Sequence, residues 1–174
     1  MKMRRLGIIT VFSTLLLGIS ASGALADITT TINDANAPSG THRRTGTIGC
    51  TVGTDGLTVT CSTFQLAGVG NTNADSVLSA EYSATIDCRN PGGNIVESHE
   101  TTFAATNAVE ATSSKNGRMT VPGQSVSPDL DLAEPCPNPN WTPEFQPGTL
   151  MLNSFTYTLT FDGFTGAYIT ITGP

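Results

Sequence analysis

Cys50-Thr51-Val52-Gly53-Thr54-Asp55-Gly56-Leu57-Thr58-Val59-Thr60-Cys61 is the stretch from which the fold is read. Asp55-Gly56 is a favoured two-residue hairpin turn, because both turn positions need φ > 0 and these residue types tolerate it. With that turn Val52 faces Val59 and Cys50 faces Cys61. One face then carries Cys50, Val52, Leu57, Val59 and Cys61, and the other carries Thr51, Gly53, Thr58 and Thr60. Turn chemistry and binary pattern agree on a β-hairpin. Residues opposed at a hydrogen-bonded pair have Cα atoms about 5.5 Å apart, inside the disulfide range. Cys50–Cys61 is therefore the favoured bridge, and Cys88–Cys136 follows by elimination among the four cysteines. In the chain-entropy model the two rings contribute about 3 and about 4 kcal/mol.

Outward from the hairpin, the same period-two pattern recurs. Leu78, Ala80, Tyr82, Ala84, Ile86 and Cys88 line one face of Ser76–Cys88, against Ser79, Glu81, Ser83, Thr85 and Asp87. Asn90-Pro91-Gly92-Gly93-Asn94 then breaks the chain. Phe103, Ala105, Val109 and Ala111 share a strand face within 95–112, although the Ala and Glu content there also suits a helix. A three-residue loop at Lys115-Asn116-Gly117 pairs Ser113 with Met119 and Ala111 with Val121, with Gly117 in the left-handed position. Ile28, Thr30 and Ile32 mark a short first strand, followed by a polar loop from Asn33 to Gly46. Pro122 to Gly148 is a proline-punctuated connection with one short strand near Val126 to Leu132. Phe155, Tyr157, Leu159 and Phe161 alternate in phase, and Leu152 is out of phase, the mark of a bulge. Ala167, Ile169 and Ile171 form the last apolar row. A two-residue turn at Asp162-Gly163 would leave Ile169 and Ile171 on the wet face, so a longer loop or a crossing between sheets is expected. Seven or eight such strands predict an all-β, antiparallel two-sheet sandwich, immunoglobulin-like, with an up-and-down barrel as the alternative.

The chain's start predicts where it works. Lys2, Arg4 and Arg5 precede an apolar run from Leu6 to Ile19, and Ala24-Leu25-Ala26 is a small-residue cleavage site. That order is a secretory signal peptide over residues 1–26, too short in its apolar run to span a bilayer. The expected mature chain, 27–174, is a single secreted domain. It keeps five basic residues against 14 acidic ones, a net charge of −9. Such a chain should repel nucleic acid and anionic lipid, with no membrane insertion in the mature form. Export also favours disulfides. Zinc would want paired cysteines two to four residues apart, unlike the spacing here.

Chemistry-bearing motifs are sparse. The two histidines, His42 and His99, accompany neither G-x-S-x-G nor H-E-x-x-H, and His99 reads as an ordinary exposed side chain. Glu97 and Glu100 point to opposite faces if extended, which does not build a two-carboxylate cleft. Asp129-Leu130-Asp131 with Glu134 could offer oxygens to calcium, but lacks the glycine and ligand count of a dedicated loop. No catalytic residue, metal or cofactor is expected. His42-Arg43-Arg44 is the one basic cluster, able to hold an anionic partner from a flexible loop. Pro137-Asn138-Pro139-Asn140-Trp141-Thr142-Pro143-Glu144-Phe145 carries the only Trp, stiffened by prolines and tied by Cys136. Trp141, Asn138, Asn140 and Phe145 form a candidate ligand platform; the competing expectation has Trp141 and Phe145 plug one end of the core.

Cys88-Arg89-Asn90-Pro91-Gly92-Gly93-Asn94, with a later Cys136-Pro137 and a preceding two-cysteine hairpin, resembles a group of small secreted actinobacterial proteins. In those, C-x-N-x-G-G-N and C-P recur; the likeness covers Cys50 to Trp141 and implies a two-disulfide all-β domain with no assigned activity. The expected function is extracellular recognition or an envelope-associated structural role, by a monomer that meets an extracellular protein or glycan. A secreted protease inhibitor or small-ligand carrier is the second expectation, with Pro135 to Phe145 as the inhibitory loop. A hydrolase is the weakest.

Overall fold

The computed structural model describes residues 27–129 and 136–174. Its strands are β1 (Thr29–Ile32), β2 (His42–Gly46), β3 (Cys50–Val52), β4 (Val59–Cys61), β5 (Phe64–Ala67), β6 (Ala74–Arg89), β7 (Ile95–Ala111), β8 (Arg118–Val121), β9 (Gln124–Val126), β10 (Thr142–Phe145), β11 (Met151–Phe161) and β12 (Ile169–Gly173). Among the described residues a single 3-10 turn, Asp34–Asn36, interrupts the strands. The expected leader, residues 1–26, lies outside the described residues, as do 130–135.

Strands β3 and β4 pair Cys50 with Cys61, Thr51 with Thr60 and Val52 with Val59, the expected register. The turn that joins them differs from expectation. Among its residues Gly56 has positive φ, at 70°, and Asp55 does not. Gly53 N donates to Thr58 O at 2.7 Å and Gly56 N to Gly53 O at 2.9 Å, so the loop is Thr54 to Leu57. Asp55 shapes it through its carboxylate: Oδ1 accepts from Leu57 N and Thr58 N, both at 3.0 Å, and Oδ2 from the Thr58 hydroxyl at 2.6 Å. Ser62 N donates to Gly49 O at 3.0 Å. Bonded pairs thus fall at Gly49–Ser62 and Gly53–Thr58, and Cys50–Cys61 sits at a non-hydrogen-bonded pair. Such pairs are the closer kind, and the two Cα atoms are 4.0 Å apart. Both predicted bridges form, Cys50–Cys61 and Cys88–Cys136.

The long hairpin of β6 and β7 is the spine of the molecule. Its in-facing residues Leu78, Ala80, Tyr82, Ala84, Ile86 and Cys88 are all buried, as alternation predicts. The 95–112 stretch is strand and not helix. β11 pairs with Ala74–Ser83 along the other edge of β6, with the expected irregularity between Leu152 and Ser154. β10 continues that line against Ile86–Arg89. Between them Gln146 N donates to Thr85 O at 2.8 Å, and Thr85 N to Thr149 Oγ1 at 3.0 Å. β12 follows β11 antiparallel within the same sheet, Leu159 opposite Ile169, so the longer loop is the one used. β1 closes the far edge against β12 with four exposed residues. The other six strands form two three-stranded sheets, β2–β5–β8 and β3–β4–β9.

Twelve strands in three sheets replace the seven or eight predicted. Part of the excess comes from interruption. β2 gives way to β3, β4 to β5 and β8 to β9 within a few residues each. At the last of these Pro122 has no N–H to donate, and Gly123 N turns to the Thr63 hydroxyl at 2.9 Å. The remaining addition is β10, a polar edge strand, and the interrupted strands reach into segments that read as loops. Asn33–Gly46 holds β2, and Pro122–Gly148 holds β9 and β10. The strand expected near Val126–Leu132 instead ends at Val126, with 130–132 outside the described residues. The hairpin after Lys115 keeps its expected bridge, Ser113–Met119, and its left-handed Gly117 at φ 64°. Ala111 does not face Val121, because β7 stays on β6 while β8 leaves to pair with β5.

One core lies between the large sheet and the two small ones. Leu78, Tyr82, Phe155, Tyr157, Leu159 and Ile169 meet Val59, Phe64, Leu66, Met119 and Val121 there. Each such side chain contributes about 1.5–3 kcal/mol by leaving water. Two polar ties cross the layers: Tyr82 Oη donates to Leu57 O at 3.0 Å, and buried Gln124 donates Nε2 to Ser76 O at 3.2 Å and to Asn107 O at 3.0 Å.

Candidate functional site

At the end of the large sheet, Cys88–Cys136 anchors the tryptophan segment to the last inward position of β6. The chain then makes a tight turn in which Trp141 N donates to Asn138 O at 3.0 Å. Asn140 N donates to Asn138 Oδ1 at 3.0 Å, so Asn138 spends its side-chain oxygen on the turn. β10 follows, pairing Thr142 with Arg89, Pro143 with Cys88 and Phe145 with Ile86. Pro143 is tolerated because β10 is an edge strand, bonded to β6 alone. Arg89 Nε contacts Glu144 Oε2 at 2.5 Å across the pair, and its Nη1 donates to Gly93 O at 2.9 Å.

The C-x-N-x-G-G-N stretch is the β6–β7 turn beside this site. Asn90 Oδ1 accepts from Gly92 N and Asn94 N, both at 3.0 Å. Asn90 N donates to Asn94 O at 3.0 Å and Gly93 N to Asn90 O at 2.8 Å. The motif is accounted for as a self-satisfied hairpin end.

The four predicted platform residues divide. Trp141 is half-buried and stands outside the main core cluster. Asn140 is exposed, and Asn138 is half-buried within its turn. Phe145 turns inward: its ring centroid lies 6.2 Å from that of Phe103, which lies 5.6 Å from Tyr82. Trp141 and Asn140 are thus the accessible pair, in the turn that leads into edge strand β10, whose far end, Phe145, joins the aromatic row. Alternation missed β10 because Thr-Pro-Glu-Phe has too few apolar residues to show a period.

The other singled-out residues lie elsewhere. His99 is half-buried, opposite Ile86, and not the exposed side chain expected. Glu97 and Glu100 are both exposed. Of the acidic loop, Asp129 is described while Asp131 and Glu134 are outside the described residues. Among the described residues no group of three or more His, Cys, Asp or Glu could hold a metal ion. No helix among them is long and apolar enough to cross a membrane. His42, Arg43 and Arg44 lie on β2, a strand paired with β5, and not in a loop.

No family model, no curated protein and no solved structure matches this chain.

Proposed function

We propose that this chain is a secreted, non-enzymatic protein of immunoglobulin-like architecture that recognises an extracellular protein or glycan through Trp141 and Asn140. The carrying observation is the placement of Trp141: half-buried, outside the core, in the turn between Cys136, which is bridged to Cys88, and edge strand β10, which is paired with β6. A ring fixed in this way presents a flat apolar face at low entropic cost. Two disulfides fit an oxidising compartment.

Strand order supports the architecture. Counting each interrupted strand once, with β10 and β11 taken as one line along β6, the small layer runs second, third, sixth, and the large one first, eighth, seventh, fourth, fifth. In immunoglobulin letters these are A, B, E against G, F, C, with a C′ strand beyond C and an added leading strand beyond G. The likeness to small secreted actinobacterial proteins belongs with the same reading.

The test is Trp141 emission, measured while soluble peptidoglycan fragments, chitin oligomers and cellulose oligomers are added in turn. A saturable shift is expected with one probe, and Trp141→Ala, titrated by calorimetry because it lacks the chain's only Trp, should weaken that binding about 10-fold. Emission unmoved by every probe sinks the platform.

The carrier reading has its own observation. A recess of about 560 Å³ opens between Ile28, Val52, the Gly53–Gly56 turn and Pro174, a size suited to a small apolar ligand. Saturable uptake of an apolar dye, lost in Val52→Asp, favours the carrier over the platform.

A further inference from the structure

The structure assigns a second site, independent of Trp141, on the outer face of β2–β5–β8: a recess for one phosphate-type oxyanion, held by Arg44 and Arg118. Four of the five cationic residues after residue 26 gather on or beside this sheet: Arg43 and Arg44 on β2, Arg118 on β8 and Lys115 in the hairpin before β8. The fifth, Arg89, is paired with Glu144, the one ion pair among the described residues. The same stretch of chain carries 14 acids, so this concentration of positive charge stands apart from the rest of the molecule.

The sheet brings the two arginines together although 74 positions separate them. β5 lies between their strands, with Ala67 facing both His42 and Arg118, and Gln65 facing both Thr45 and Thr120. β2 has an extra residue in its register between Arg43 and Thr45, and that residue is Arg44. A bulge at a sheet edge re-aims its side chain. Arg44 Nη1 donates to Gln65 Oε1 at 3.0 Å, which steadies one prong of its guanidinium and leaves the other donors available.

Arg44, Gln65, Thr112, Ser114, Arg118 and Thr120, together with Met119, line a recess of about 290 Å³. The lining contains two planar guanidinium groups, one amide and three hydroxyls, and no carboxylate. Forked, fixed donors of this kind match a tetrahedral oxyanion better than a lone point charge. The net charge of −9 over residues 27–174 argues for a small target. A long polyanion would run from the basic face onto acidic surface, whereas a single phosphate meets the local field alone. The phosphate could be free, or could be one diester of a short extracellular oligomer, met singly by the recess.

The test titrates the oxidised chain, labelled with nitrogen-15, with inorganic orthophosphate and separately with short poly(glycerol phosphate), against chloride at equal ionic strength. Saturable shifts are expected at the amides of Gln65, Ser114, Arg118 and Thr120. Shifts with orthophosphate identify a free or terminal phosphate as the ligand; shifts with the polymer alone identify the diester. Arg118→Gln and Arg44→Gln should each weaken binding about 10-fold or more. Arg118 is exposed, so unchanged core resonances in Arg118→Gln keep the test valid if the edge-strand variant misfolds. No saturable shift beyond chloride with either probe, or full affinity in Arg118→Gln, overturns the site.

Discussion

Asp55 sets its turn by chemistry that residue types alone do not reveal. Its position in the hairpin was legible, since Asp-Gly between alternating rows marks a reversal. Its role was not, because propensity counts which residue tolerates φ > 0 and not which oxygen accepts which proton. Here the carboxylate takes the Thr58 hydroxyl and the amides of Thr58 and Leu57. Led by the Thr58 hydroxyl, these bonds lower its pKa from 3.8 to about 2. A depressed folded-state pKa adds stability that is present above the unfolded value and is lost as pH falls through the folded one. The Leu57 and Thr58 amide resonances should therefore titrate together with a midpoint near 2. Asp55→Ala should abolish that step and speed exchange of the Thr58 amide, with Cys50–Cys61 intact. A midpoint near 3.8, the ordinary value, would mean the carboxylate does not hold the turn.

Elements with an apolar row were legible and polar edge strands were not. β6 and β11 bury alternate residues, so their faces follow from periodicity. β2, with sequence His-Arg-Arg-Thr-Gly, is exposed along its whole length; only its partner β5 makes it a strand. β10 depends on tertiary context in the same way, resting on four paired positions and one disulfide. Cys88–Cys136 spans a sequence separation of 48, for which the chain-entropy model assigns about 4 kcal/mol. Replacing both cysteines by Ala should lower unfolding free energy by up to about that amount. Loss should begin locally. The amides of Thr142, Glu144 and Phe145 should exchange much faster while those of β6 facing β11 keep their protection, because β11 and the core hold that half of β6. Uniform loss of protection across β6 would show that the bridge supports the whole sheet and not one strand. The same variant should abolish the Trp141 response if the disulfide is what fixes the ring.

Across the whole molecule, what could be read locally ends where distant strands meet. Nothing near Arg44 announces Arg118; β5 joins them. The core is likewise a product of both layers, and its titration is a global property. Tyr157 is almost wholly buried between the layers, and burial pushes its phenol up to about 12, with the Ser76 hydroxyl pulling slightly the other way. Burial raises Tyr82 and Tyr168 as well, helped by the Asp55 and Asp34 carboxylates respectively. A raised phenol pKa means the folded state keeps its proton where the unfolded chain, near 10, gives it up. Stability from this source is full below the unfolded value and falls as pH climbs toward the folded one. Two pH units correspond to about 3 kcal/mol for Tyr157. Urea midpoints measured at about pH 8 and about pH 11.5 should therefore drop sharply for the native sequence. Tyr157→Phe keeps the ring in the core and removes the ionisable oxygen, so its drop should shrink by roughly 2 kcal/mol. The remaining slope belongs to Tyr82 and Tyr168, whose shifts point the same way. Equal alkaline losses in both proteins would mean that Tyr157 ionises as freely in the fold as in the open chain, and that the two layers do not close over it.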